Sequence, residues 1–234
     1  MLGTGWFAAV AAYAGPGSTV AVVGDGAVGL MGILAAKHLG AERIIAMSRH
    51  ADRQALARRF GATDVVEERG RAGVERIKEL TGGYGAHSTI EAVGTQESML
   101  QAIGATRPGG HVGYVGVSHG VTLDGARLFS ATVSLLGGPA PVRRFLPELI
   151  ELIMRDEIDP GAVFDLTLPI ADAAATDAIA SDASTRGGIS VRSGRPLSSS
   201  RAWAPTPIAR VKASTVHASV DQSTAAARHA PTTT

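Results

Sequence analysis

The stretch Val20-Ala21-Val22-Val23-Gly24-Asp25-Gly26-Ala27-Val28-Gly29-Leu30 decides the fold. An apolar run enters a glycine turn, and the turn opens a helical pattern. Gly24, Gly26 and Gly29 fit G-x-G-x-x-G, which carries meaning when it joins a strand to a helix inside a βαβ unit. Thr19 to Val23 is β-branched, short and preceded by the breaker Gly15-Pro16-Gly17, which predicts a strand. Ala27 to Leu39 places Val28, Leu30, Met31, Ile33, Leu34, Ala35 and Leu39 at helical spacing, and Gly40 closes it. Each glycine then has a task. Gly24 makes the tight turn, Gly26 admits a pyrophosphate close to the backbone, and Gly29 lets helix and strand approach. With Asp25, Ala27 and Val28 between them, these glycines present a helix N-terminus whose N–H groups and partial positive charge suit phosphate. The competing reading, a plain glycine turn, gives way to this context.

Outward from the loop, strands and helices alternate. Arg43 to Met47 reads as a second strand, followed by a helix from Asp52 to Phe60 that stops at Gly61. Asp64 to Val66 is a third strand and Glu68 to Leu80 a polar helix. Ser88 to Val93 is a fourth strand, with a helix from Glu97 to Gly104 capped by Thr95. After the turn Pro108-Gly109-Gly110, His111 to Val117 reads as a fifth strand, Thr132 to Leu136 as a sixth, and Val142 to Arg155 as a helix. This order predicts an α/β, doubly wound parallel sheet of Rossmann type. Right-handed crossovers bring the strand ends at Gly24, Gly94, Gly116 and Gly137 to one edge, where ligands bind.

Composition narrows the function. The 234 residues carry a formal net charge of +1, and residues 193–234 hold five Lys/Arg against one Asp, so the remainder is slightly acidic. That is no nucleic-acid footprint. There is no cysteine, which rules out disulfides, thiolate catalysis and cysteine-ligated zinc. Thr4 to Ala14 is apolar but too short to span a bilayer and lacks a basic leader, so it reads as a buried helix. The expectation is a cytoplasmic protein with neither membrane nor nucleic acid as partner.

The end of the second strand speaks to the ligand. An Asp or Glu there accepts hydrogen bonds from an adenosine ribose. Ser48-Arg49 stands instead, and a hydroxyl and a guanidinium suit a 2′-phosphate that a carboxylate would repel. Arg53 is within reach of the same group. The predicted cofactor is therefore NADP(H) in preference to NAD(H). Two other enzyme classes fit poorly. Short-chain dehydrogenases need Tyr-x-x-x-Lys, and the residues four past Tyr13, Tyr84 and Tyr114 are Gly17, Ser88 and Ser118. A methyltransferase would want an acid where Ser48 stands.

These stretches together resemble the zinc-type, medium-chain alcohol dehydrogenase family. The matching segments are Leu2-Gly3-Thr4-Gly5-Trp6, the glycine loop, Gly40-Ala41-Glu42-Arg43-Ile44-Ile45, Phe60-Gly61-Ala62-Thr63-Asp64, Glu91-Ala92-Val93-Gly94-Thr95, Arg107-Pro108-Gly109-Gly110 and Gly137-Gly138-Pro139-Ala140-Pro141. Ser48-Arg49 looks like the pair of NADP-dependent members. The resemblance implies that Thr4 lies near the nicotinamide and that Val93, Gly94, Val115, Gly116 and Val117 line the reactive half of the cofactor. It places Gly138 and Pro139 near the carboxamide, and it implies a homodimer formed along the edge strand 132–136.

The departures matter as much. Family members carry a catalytic domain ahead of the dinucleotide domain, and it supplies the zinc ligands. A ligand position just ahead of the threonine matched by Thr4 falls before Met1. His111 and His119 make no substitute site, and His38 and His50 read as surface positions. No catalytic and no metal-ligating residue is assigned. The domain reading is 1–156 for the dinucleotide domain and 157–192 for a remnant that would return to the catalytic domain. That remnant holds Ile158-Asp159-Pro160-Gly161, Phe164 to Pro169, an Ala-rich helix to Ala180, and a degenerate strand at Gly187 to Val191. Residues 193–234, including an isolated Trp203, read as low-complexity and disordered. The expectation is an NADP(H)-binding domain of an alcohol dehydrogenase-like oxidoreductase, nearly inactive as this chain. The alternative is a non-catalytic NADP(H)-binding or subunit-pairing module.

Overall fold

In the computed structural model, residues 1–164 are described, together with the backbone of 166–169 and 189–192. The expected Ala-rich helix to Ala180, Trp203 and the segment 193–234 lie outside the described residues.

Six parallel strands make one sheet: β1 (Thr19–Val23), β2 (Arg43–Met47), β3 (Asp64–Val66), β4 (Ala86–Glu91), β5 (Thr106–Tyr114) and β6 (Ser134–Gly137). Their order is β3-β2-β1-β4-β5-β6, the doubly wound Rossmann arrangement, with its reversal between β1 and β4. The connecting helices are α1 (Leu2–Ala11), α2 (Ala27–His38), α3 (Ala51–Phe60), α4 (Gly70–Leu80), α5 (Gln96–Ala105), α6 (Gly125–Ala131) and α7 (Val142–Met154). A further pair, β7 (Leu166–Pro169) and β8 (Ile189–Arg192), runs parallel, so the segment read as a degenerate last strand does pair.

Strand side chains alternate between two buried faces, as a sheet covered on both sides requires. Val20, Val22, Ile44, Ala46 and Ile90 face a core built with α1, α2, α3 and α7. Ala21, Val23, Ile45, Met47 and Val112 face a second core with α4 and α5. Helix α2 is buried almost all round, with eight of its twelve residues inaccessible, because α1 closes over its outer side. The closure is tight: a Cβ on Gly5 would lie 2.6 Å from the backbone nitrogen of Gly32.

Several boundaries differ from the sequence reading, among them β4, which spans Ala86–Glu91 and leaves Ala92 and Val93 in the loop after it. β5 begins at Thr106 and ends at Tyr114, so Val115 to Val117 form the loop after the strand. The expected turn at Pro108 to Gly110 falls inside it, where the register against β4 slips between Ala86 and Ser88. Thr132 does not start β6. It holds a left-handed conformation (φ 51°) at the end of α6, a helix the sequence reading did not contain. Asp124 caps that helix by accepting a hydrogen bond from the Ala126 amide at 2.9 Å.

At the amino edge, the Thr19 amide donates to Nδ1 of His87 at 3.1 Å. That bond requires an unprotonated Nδ1. Burial, and then the charge of Arg107, push the His87 pKa below the ordinary value of 6.5. The unfolded chain therefore takes up a proton that the folded chain refuses. Stability is expected to be full above about pH 6.5 and to fall as pH drops from there toward the lowered value. His87→Gln keeps an acceptor without titrating, so urea unfolding of the two proteins at neutral and mildly acidic pH checks this. An equal acid loss in both would refute it.

Candidate functional site

The sheet register aligns the strand ends. Met47 pairs with Val23, Val23 with Glu91, Glu91 with Tyr114, and Tyr114 with Gly137. The next residues of each chain segment therefore leave the sheet along one edge. They are Gly24, Ser48, Ala92, Val115 and Gly138. The segments singled out in the sequence thus converge by topology alone, at the carboxyl ends beside the reversal in strand order.

The glycine loop is shaped by two close approaches. Gly24 turns with φ 115°, a conformation that side chains disfavour. A Cβ on Gly29 would fall 1.9 Å from the Gly24 carbonyl oxygen, so no other residue fits there. Gly26 differs, because a Cβ there would meet nothing within 4 Å. No side chain caps α2 at Gly26, so the first N–H groups of the helix face outward over that open space. Gly138 is likewise open, with nothing within 4 Å.

Around the loop runs a cleft of about 550 Å³, lined among others by Gly24, Asp25, Arg49, Arg53, Arg69 and Thr95. Its charges centre on Asp25. The Ser48 hydroxyl donates to Oδ2 of Asp25 at 2.8 Å, and Arg53 Nη1 donates to Oδ1 at 3.1 Å. Arg69 Nη2 lies 4.0 Å from Oδ2. Ser48 and Arg53 are buried, whereas Arg49 is exposed at the mouth. Burial lowers the pKa of Arg69. Asp25 opposes that shift, Arg49 adds to it, and Glu97 opposes it. Arg49 and Arg69 are thus close enough to repel. Ser48 and Arg53, expected beside a ligand phosphate, stand at this edge and are both held by Asp25, itself expected at the cofactor as a residue of the glycine loop. Nothing in the sequence singles out Arg69.

On the other side of the reversal, Glu91 is fully buried at the end of β4. Its Oε1 accepts from the amides of Val93 and Gly94 at 2.9 and 2.8 Å and from the Ser98 hydroxyl at 2.7 Å. Ser98 in turn completes a capping box with Thr95, the N-cap that the sequence indicated. The loops after β4 and β5 then interlock, since a Cβ on Gly116 would lie 2.2 Å from the Gly94 nitrogen. Above them Val93 and Val117 leave apolar side chains exposed. Thr4 is half-buried on the first turn of α1. That turn meets the start of α7, a Cβ on Gly3 reaching within 2.6 Å of Val142, just past Gly138 and Pro139. An acid at the end of the strand Ser88-Thr89-Ile90-Glu91 is the available signal for this anchor.

Among the described residues no group of three or more His, Asp or Glu is placed to hold a metal ion. His38 is exposed and stacks beside Trp6, and His111 packs on Tyr13, their ring centres 4.5 Å apart. These residues do not fit a zinc ion.

The pattern that describes zinc-binding dehydrogenases matches residues 27–155, more than half of the chain. The chain belongs to that family. It is similar to a probable zinc-binding alcohol dehydrogenase of Mycobacterium tuberculosis, 39% identical over 175 residues, covering 74% of this chain and 44% of that protein. An NADP-dependent isopropanol dehydrogenase of Thermoanaerobacter brockii is 36% identical over 169 residues, covering 69% of this chain and 47% of that one. Among solved structures, an alcohol dehydrogenase from Thermus sp. ATN1 superposes with a TM-score of 0.73 at 28% identity, covering 80% of this chain and 55% of the other. The chain thus spans about half the length of the relatives it matches.

Replacing Glu91 with Ala would remove the acceptor of the Val93 and Gly94 amides and of the Ser98 hydroxyl, leaving the buried Gly94 amide without it. The expected cost is about 3 kcal/mol, measured by urea unfolding. A loss below about 1 kcal/mol would show that Glu91 does not hold the loop.

Proposed function

We propose that this chain binds NADP(H) in preference to NAD(H) at the carboxyl edge of its sheet, as the dinucleotide-binding half of an alcohol dehydrogenase. The reaction is hydride exchange between the nicotinamide and an alcohol–carbonyl pair. One observation carries the reading. Three arginines line the cleft beside the glycine loop, and that loop carries an open Gly26 and an uncapped helix N-terminus. The pyrophosphate fits over Gly26, where backbone N–H groups of Ala27, Val28 and Gly29 point outward without competition from a side chain. Val93, Val115, Gly116 and Val117 offer an apolar wall to the nicotinamide, with Gly138, Pro139 and Thr4 at its far end. When bound, the nicotinamide supplies the hydride acceptor or donor. The residues of the chain position it and exclude water from one face. The NADP-dependent isopropanol dehydrogenases among the relatives support the cofactor choice.

A ligand that binds only the folded state raises the melting temperature as its concentration passes the dissociation constant. NADPH is expected to raise the midpoint at lower concentration than NADH, and the gap is expected to narrow in high salt, which screens the phosphate contacts. Equal shifts at every salt concentration would refute the preference. No shift with either dinucleotide, in a cooperatively melting protein, would refute binding.

The 234-residue chain by itself is expected to turn over alcohol slowly or not at all. Its described residues bring no metal-ligating cluster to the cleft that would ionise an alcohol oxygen. Steady alcohol-dependent NADPH formation by the pure chain, unaffected by chelators, would contradict this.

A further inference from the structure

We propose that Arg69 is a specificity-determining residue for the phosphate on the adenosine ribose, and that Asp25 is the positioning residue that aims it. This rests on the NADP(H) reading above. The single O–H of Ser48 is spent on Asp25 Oδ2, inside a fully buried residue. Arg53 is turned inward on Asp25 Oδ1, its side chain 8% exposed. Ser48 thus has no proton left for a phosphate, and Arg53, although it lines the cleft, is buried with one guanidinium nitrogen held on Asp25.

Arg69 is placed differently. It precedes α4, in the connection from β3, and its side chain is 27% exposed against 8% for Arg53. Its guanidinium stands 4.0 Å from Asp25, close enough to be oriented by charge but beyond hydrogen-bond length. A guanidinium carries five donors in a planar fork, so Asp25 orients Arg69 without consuming the edge that a phosphate would bind in two-point fashion.

The charge balance points the same way. Arg49, Arg53 and Arg69 share the cleft with the carboxylates of Asp25 and Glu97. The cleft is thus one negative charge short. A phosphate between the exposed Arg49 and the partly exposed Arg69 would supply it. The carboxylate that a dinucleotide fold ordinarily offers to a ribose hydroxyl is present here too. It comes from the glycine loop rather than from β2, and Ser48 and Arg53 occupy it. A bare 2′-hydroxyl would have to compete with them for its lone pairs, which turns a group that could favour NAD(H) into a clamp on arginines.

The test is the ratio of NADPH to NADH dissociation constants, measured by titration on the 234-residue chain and on the variants R69Q, R69K and R49Q. R69Q is expected to lower the preference for NADPH roughly tenfold, the effect of one solvent-screened charge-assisted contact. R69K, which keeps the charge and loses the fork, is expected to fall between R69Q and the unmodified chain. It also serves as the readout should R69Q not fold. If R69Q weakens both dinucleotides equally, Arg69 merely supports the fold and the proposal fails. If R69Q leaves the ratio intact while R49Q collapses it, the phosphate belongs to Arg49 alone; the proposal fails and the NADP(H) reading stands. If the unmodified chain shows a ratio near one, the NADP(H) reading fails and takes this proposal with it.

Discussion

The contact between the α-hydrogen side of Gly29 and the carbonyl of Gly24 governs the rest of the site. A methyl group at Gly29 would fall 1.9 Å from that oxygen, so the chain can fold back on itself there only because a side chain is missing. The closure sets the direction of α2 and stands its uncapped N-terminus at the sheet edge. It also places Asp25 between two glycines, and its carboxylate reaches across to Ser48 just past β2 and to Arg53 on α3. A loop of backbone thereby supplies both a place for phosphate and the charge that organises the neighbouring arginines.

The opposite side of the reversal uses a different device toward the same end. Glu91 has no glycine loop to serve. It places one carboxylate oxygen on two successive amides and a hydroxyl. Such a group keeps a turn in one conformation at the cost of desolvating a charge. The two devices face each other across β1 and β4, which are paired from Val20 to Val23. Between them lies a cleft lined by Val93, Arg49 and Arg69.

The fold was legible because its signals are local. Glycines at the loop, the β-branched run before it and the Thr95 cap each depend on a few neighbouring residues, and each appears where the sequence indicated. What was not legible depends on distant partners. The sequence places Ser48 and Arg53 at this edge, but it cannot show that a carboxylate 23 residues before Ser48 holds them both. Thr132 has strand chemistry yet ends a helix in a left-handed turn, since α6 must stop where β6 begins. Arg69 lies in a polar connection where any charge looks solvated, and only the cleft distinguishes it.

Helix α1 has a consequence for how this family can be recombined. Two of its residues are fitted against backbone. Gly5 meets Gly32, and a Cβ on Gly113 of β5 would lie 2.1 Å from the Ala8 carbonyl. Trp6 is sealed beneath it. Such contacts tolerate no substitution of one relative's helix for another's unless the partner strand comes with it. The loop Gly15-Pro16-Gly17 looks like the natural joint for a chimera, but a junction there would part α1 from the backbone it was shaped on. A working graft of this unit onto a foreign catalytic half would carry α1 with it and make the join ahead of Leu2.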